Sequence, residues 1–67
     1  MTTAAAFHPM RGDVYQGNTV AMPNGDVWTI QSGSHGWELV DQSGSLVYQQ
    51  TMNEGADALA FFIYSHS

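Results

Sequence analysis

Sixty-seven residues carry six acids against one basic side chain other than histidine, Arg11, giving a formal net charge of −5, and they contain no cysteine. A chain of this length makes one domain and hides only roughly 60% of the surface its unfolded form would expose, so its margin of stability is thin. Disulfide cross-links and thiolate metal sites are excluded, and nothing in the chain can neutralise the phosphates of a nucleic acid or an anionic membrane.

Charged residues make up 10% of the chain, against about 25% in an average protein. Gln, Ser, Thr, Asn, Gly and apolar groups must therefore cover much of the surface. A monomer that has to stay dissolved alone usually carries more charge, so the composition points to a protein that works assembled against itself or a protein partner. No stretch is long and apolar enough to span a membrane. Thr2 to Phe7 is small and apolar but lacks a basic leading segment and a long hydrophobic run, so no signal peptide is expected.

In chain order, Ala4-Ala5-Ala6-Phe7 and His8-Pro9 show no period and no turn signal. Residues 1–11 are expected to be an N-terminal arm or tail, either free or laid on a neighbour with Phe7 as its anchor. Residues 12–67 then form the single small domain. Arg11-Gly12-Asp13 spells an integrin-binding tripeptide, but three letters match often by chance. Its Gly-Asp pair reads better as a turn into a short strand at Val14-Tyr15.

Gln16-Gly17-Asn18 is a further turn, and Thr19 to Met22 a strand. Pro23-Asn24-Gly25-Asp26 predicts a tight hairpin, since Asn-Gly supplies the positive φ that such turns require. Val27 to Gln31 returns with Trp28 and Ile30 on one face and Val27, Thr29 and Gln31 on the other. After the Ser32–Gly36 loop, Trp37 to Asp41 puts Trp37 and Leu39 opposite Glu38 and Val40. Gln42-Ser43-Gly44-Ser45 turns the chain into a last strand, Leu46 to Gln50. One face gathers Val20, Trp28, Ile30, Trp37, Leu39, Leu46 and Tyr48.

Thr51-Met52-Asn53-Glu54 has the spacing of a capping box, in which Thr51 and Glu54 would satisfy each other's backbone N–H groups at a helix start. The helix predicted from Met52 to Tyr64 carries Met52, Ala56, Leu59, Ala60 and Ile63 on one stripe. A lone helix this short does not hold in water, so the stripe must cover the sheet. The expected fold is α+β: a small antiparallel β-meander of three to four short strands packed against one C-terminal helix.

Chemistry-bearing patterns are sparse. His8, His35 and His66 are far apart, no nucleophile elbow occurs, and there is no Lys for a phosphate loop. The domain is also too small for an enclosed pocket of roughly 300 Å³. Neither an enzyme nor a cofactor is expected. On the helical wheel Phe61 falls opposite the Met52–Ile63 stripe, near Asp57 and with Tyr64 to one side. An aromatic pair there marks a contact surface, so Phe61, Tyr64, Asp57 and the arm's Phe7 are the candidate interaction residues.

Tyr15, Gly17, Val20, Gly25 and Trp28 loosely resemble the aromatic–glycine run of small chitin-binding modules, although the aromatic pair that follows it in those modules is absent. The resemblance would imply sugar stacking on Tyr15 and Trp28. In size, low charge and lack of catalytic groups the chain resembles, in style and without a motif, small accessory structural proteins of bacteriophages and mobile elements, such as minor head or tail components. A virion or host cytoplasm would suit that reading. An inhibitor engaging a host protein is the rival expectation, weakened by the lack of a dense acidic run.

Overall fold

The computed structural model describes residues 1–10, 12–52 and 54–67. Five strands form one sheet: β1 (Thr2–Thr3), β2 (Thr19–Ala21), β3 (Val27–Gly33), β4 (Gly36–Val40) and β5 (Leu46–Gln49), in that spatial order. A 3₁₀ turn (Ala4–Ala6) follows β1, and the one α-helix among the described residues, α1 (Ala56–Ser65), follows β5. The chain is α+β, with four strands in an antiparallel meander. The addition to the expected fold is β1, which pairs parallel to β2 through Thr2↔Val20 and Thr3↔Ala21.

Each hairpin is closed by the chemistry of its turn. Between β2 and β3, Gly25 takes φ 95° while Asn24 Oδ1 accepts the Asp26 N–H at 2.9 Å. The Met22 N–H donates to Asp26 O at 2.8 Å and completes the closure. Gly33 pairs with Gly36 across the next hairpin. At Gly36, φ is 136° and a Cβ would run into the Gln50 side-chain oxygen, so glycine is required twice over. Between β4 and β5 the Asp41 carboxylate accepts the N–H groups of Ser43 and Ser45, each at 2.9 Å, and the Ser43 hydroxyl at 2.7 Å. Those bonds, led by the Ser43 hydroxyl, hold the Asp41 carboxyl below its ordinary range.

The core lies between one face of the sheet and α1. Val20, Trp28, Ile30 and Leu39 come from the strands, and Leu59, Ala60 and Ile63 from the helix. Register explains the gathering: Val20 pairs with Trp28, and Ile30 with Leu39, so the period-2 alternation puts all four on the same side. Trp37 and Tyr48 pack at its margin. Among the described residues one polar side chain is buried, Gln50, and both ends of its amide are bonded. Its oxygen accepts the Trp37 N–H at 2.6 Å and its amide donates to Gly55 O, which ties β4 to the start of the helix.

Four expectations are corrected. First, α1 starts at Ala56 with Gly55 as its N-cap residue and no side-chain cap bond. Half of the capping box does form: Glu54 Oε1 accepts the Thr51 N–H at 2.9 Å. That bond closes a separate turn, in which the Glu54 N–H donates to Thr51 O at 3.2 Å, so Thr51 does not cap the helix. Met52 consequently lies outside the buried stripe and is exposed. Asn53, part of the same motif, lies outside the described residues.

Second, the first residues are not a tail standing apart from the domain. Ala4 and Phe7 are buried in the common core. Phe7 is an anchor, as its size suggested, but it is seated in its own domain and not on a neighbour. Third, Val14-Tyr15 is not a strand. Side-chain bonds hold that segment in place of a ladder, with Asn18 Nδ2 donating to Asp13 O at 3.0 Å. The turn reading survives at Gly12 (φ 79°), whereas Arg11 lies outside the described residues. Fourth, Leu46 is exposed despite its place in the predicted apolar face. The β4–β5 register shifts between Leu39↔Tyr48 and Val40↔Leu46, so an irregularity at Val47 breaks the strict alternation.

Candidate protein-interaction face

Helix α1 has a second stripe besides the buried one. Asp57, Ala60, Phe61 and Tyr64 follow the spacing i, i+3, i+4, i+7 and so lie together on one side of the helix. Ala60 is the overlap between the two stripes and is itself buried. Phe61 stands out from it, 73% exposed, with Tyr64 beside it partly exposed.

Across from this stripe runs His8-Pro9-Met10. The two walls enclose an open groove of about 330 Å³, lined by Asp57, Ala60, Phe61 and Tyr64 on the helix side. Its volume exceeds what the sequence suggested for so small a domain because it is a cleft between two surface segments, open to solvent, and not an enclosed cavity. Three bonds fix the second wall. The His8 N–H donates to Asp13 Oδ2 at 2.7 Å, the Met10 N–H donates to His8 Nδ1 at 3.0 Å, and the Tyr64 hydroxyl donates to Phe7 O. Burial of Phe7 below the groove roots that wall in the core. Met10 at its rim is 81% exposed.

The groove is predominantly apolar. Asp57 is the single carboxylate among the described lining residues, and His8 the other titratable group apart from the Tyr64 phenol. Among the described residues no three His, Asp or Glu side chains come together as a metal site. The aromatic cluster of the molecule is on a different side of α1. Phe62 stacks on Tyr48 at 4.6 Å between ring centroids and lies 4.2 Å from the His66 ring, with Trp28 at 5.7 Å. There the Tyr48 hydroxyl donates to Glu54 at 3.3 Å, and burial first, then the Glu54 charge, pushes the phenol pKa up. Tyr48 and Phe62 of this cluster pack against the core edge.

Of the residues singled out from sequence, Phe61, Tyr64 and Asp57 come together on one face. Phe7 does not join them as an exposed contact, because its side chain is in the core. The sugar-stacking pair is not assembled either: Tyr15 is exposed, but Trp28 is only 5% exposed beneath the helix and has no face free for a sugar ring. Sequence reasoning missed His8, Pro9 and Met10. The one local signal available was the rigid His8-Pro9 step next to a long apolar side chain, and it acquires meaning only once Phe7 is seen to be rooted below it.

No protein-family model matches this chain, and neither a curated protein nor a solved structure matches it significantly. Among the described residues no helix is long and apolar enough to cross a membrane.

Proposed function

We infer that the protein is a non-enzymatic interaction module that binds another protein through the outer stripe of α1. The observation that carries this reading is the concentration of exposed apolar side chains, Phe61, Tyr64 and Met10, around one apolar groove. Isolated exposed apolar residues are ordinary, but an aromatic knob beside a groove is the anatomy of a docking site. The sparse charge of the chain supports the same reading, since its surface is poorly equipped to keep a permanently solitary molecule apart from others. No residue at this face argues for the narrower setting expected from the sequence, an accessory structural component of a bacteriophage or mobile element. The reading therefore stops at a protein partner.

The test is capture from the native source, with wild-type protein and Phe61→Asp as parallel baits and the retained proteins, including the chain itself, identified by mass. Wild type is expected to retain a defined protein in near-stoichiometric amount. Phe61→Asp, folded by circular dichroism, should retain at least about tenfold less, as befits loss of an aromatic anchor. Equal retention by both baits, or none by the wild type, would overturn the reading.

A further inference from the structure

Asn24-Gly25 is the one Asn-Gly step in the chain, and both residues are exposed at the tip of the β2–β3 hairpin. An asparagine before glycine is chemically labile, because glycine puts no side chain in the way of ring closure by its own backbone nitrogen. The Gly25 nitrogen, once its proton has gone to a base from water, attacks Asn24 Cγ. An N–Cγ bond forms, the Cγ–Nδ2 bond breaks, and Nδ2 leaves as ammonia with a proton taken from water. Water then opens the cyclic imide at either carbonyl. One opening gives aspartate, and the other gives isoaspartate, in which the backbone runs through the side chain. Nothing is oxidised or reduced, and water is the only co-reactant.

The folded turn engages both partners of that ring closure. The Gly25 N–H, whose proton must leave first, donates to Met22 O at 3.0 Å. The Asn24 side chain is bound at both ends to Asp26: Oδ1 accepts the Asp26 N–H at 2.9 Å, and Nδ2 donates to Asp26 Oδ2 at 3.1 Å. Met22 is itself anchored, with its side chain in the core and its N–H on Asp26 O. A hydrogen-bonded amide proton is lost from molecules in which the local structure has opened. We propose that Asn24 is a site of spontaneous deamidation gated by opening of the β2–β3 hairpin, so that the modification records how often that hairpin has opened. The product in turn makes opening more frequent. Either aspartyl form loses the Nδ2 donor and sets a carboxylate beside that of Asp26, so an attraction becomes a like-charge repulsion. The isoaspartyl form also adds a carbon to the backbone between Met22 and Asp26, whose mutual bond closes the hairpin. Loosening there reaches the β4–β5 turn, because the Val27 N–H donates to Gln42 Oε1 at 3.2 Å.

Incubation of the full chain at neutral pH, in buffer and in enough guanidinium chloride to unfold it, tests the proposal, with the mass gained placed at Asn24 by fragmentation. Deamidation of the folded chain is expected to be at least about tenfold slower, because it is confined to open molecules. Hydrogen exchange at the Gly25 amide begins with loss of the same proton, so the two rates should move together. Asp26→Ala releases the Asn24 amide and should speed both by about two- to tenfold, each relative to the same variant in denaturant, which is what one hydrogen bond is worth. Asn24→Asp, standing for the aspartyl product, should speed exchange at Gly25 by a similar factor. Equal deamidation in buffer and denaturant, no product at Asn24 in denaturant, or a folded Asp26→Ala in which neither rate moves would overturn the proposal. The buffer-to-denaturant comparison needs only wild-type protein, so it decides the matter even if Asp26→Ala fails to fold.

Discussion

The two faces of α1 make opposite use of similar side chains. Leu59 and Ile63 on the inner face are fully buried against the sheet, whereas Phe61 on the outer face, larger than either, is left in solvent. Both sets recur at helical spacing, so amphipathicity alone does not separate them. The difference lies in what each face meets. Inside, Ile30 and Leu39 complete a close-packed layer. Outside, the facing wall is one short segment, His8-Pro9-Met10, which stands off and leaves a groove. Burying Phe61 within a single chain would take another element, and the described chain has none left for that side. An apolar side chain kept at such a position costs the monomer solubility, which makes sense when the position is used between molecules.

Substitutions on the inner face and in the core it meets should have the largest effects. Phe7→Ala should lower stability by about 3–5 kcal/mol, enough to unfold a domain whose whole margin is of order 5 kcal/mol, because it leaves a cavity under the groove wall. Ile63→Ala should cost about 2–5 kcal/mol. Urea unfolding followed by tryptophan fluorescence measures both, and a loss below about 1 kcal/mol for either would contradict its place in the core.

Smaller effects sharpen the boundary between the faces. Gln50→Ala should cost about 1–3 kcal/mol, because it leaves the Trp37 N–H and the Gly55 carbonyl without their buried partner. Hydrogen exchange at the Trp37 amide should accelerate with it, and unchanged protection there would count against the bridge. Tyr64→Phe should cost about 1 kcal/mol by releasing the hydroxyl from Phe7 O, and its clearest sign should be new mobility at His8 to Met10 in NMR relaxation. A rigid wall in that variant would show that Phe7 alone positions it.

The acid limb is the smallest effect. The Asp41 and Glu54 carboxyls are held below their ordinary values, Asp41 chiefly by the Ser43 hydroxyl and Glu54 chiefly by the Thr51 N–H. Their contribution is present above the unfolded carboxyl range and is lost as pH falls through the lowered folded values. The raised Tyr48 phenol acts at the other end: its contribution holds below the ordinary tyrosine range and is lost as pH rises through the folded value. Stability should therefore be flat around neutrality and decline at both extremes. Asp41→Asn should shrink the acid limb, and an unaltered limb would mean that the turn does not select the charged carboxylate.

How far the fold was legible follows from the range of the interactions that make it. The meander could be read from alternation in β3 and β4 and from the Asn24-Gly25 turn, since both are local. The outer stripe could be read too: Phe61, Tyr64 and Asp57 keep their mutual spacing wherever the helix begins, so the error at Thr51 did not move them. That error arose because Glu54 does make its backward bond, but to close a turn outside the helix. Burial of Ala4 and Phe7 was illegible because it depends on a parallel pairing of β1 with β2 some eighteen residues away, and two-residue strands leave no period. The groove inherited that blindness, since three of its seven described lining residues, His8, Pro9 and Met10, directly follow Phe7. Exposure of Leu46 turned on a register irregularity that alternation cannot foresee.

The division between the two faces of α1 depends on Phe61 lying outside the fold. The urea midpoint of Phe61→Asp, measured at a protein concentration low enough that any dimer has dissociated, isolates that question from linkage to assembly. Stability is expected to stay within about 0.5 kcal/mol of wild type, as for a surface site. A loss of about 2 kcal/mol or more, comparable to Ile63→Ala, would place Phe61 in the core and contradict the division between the two faces of the helix.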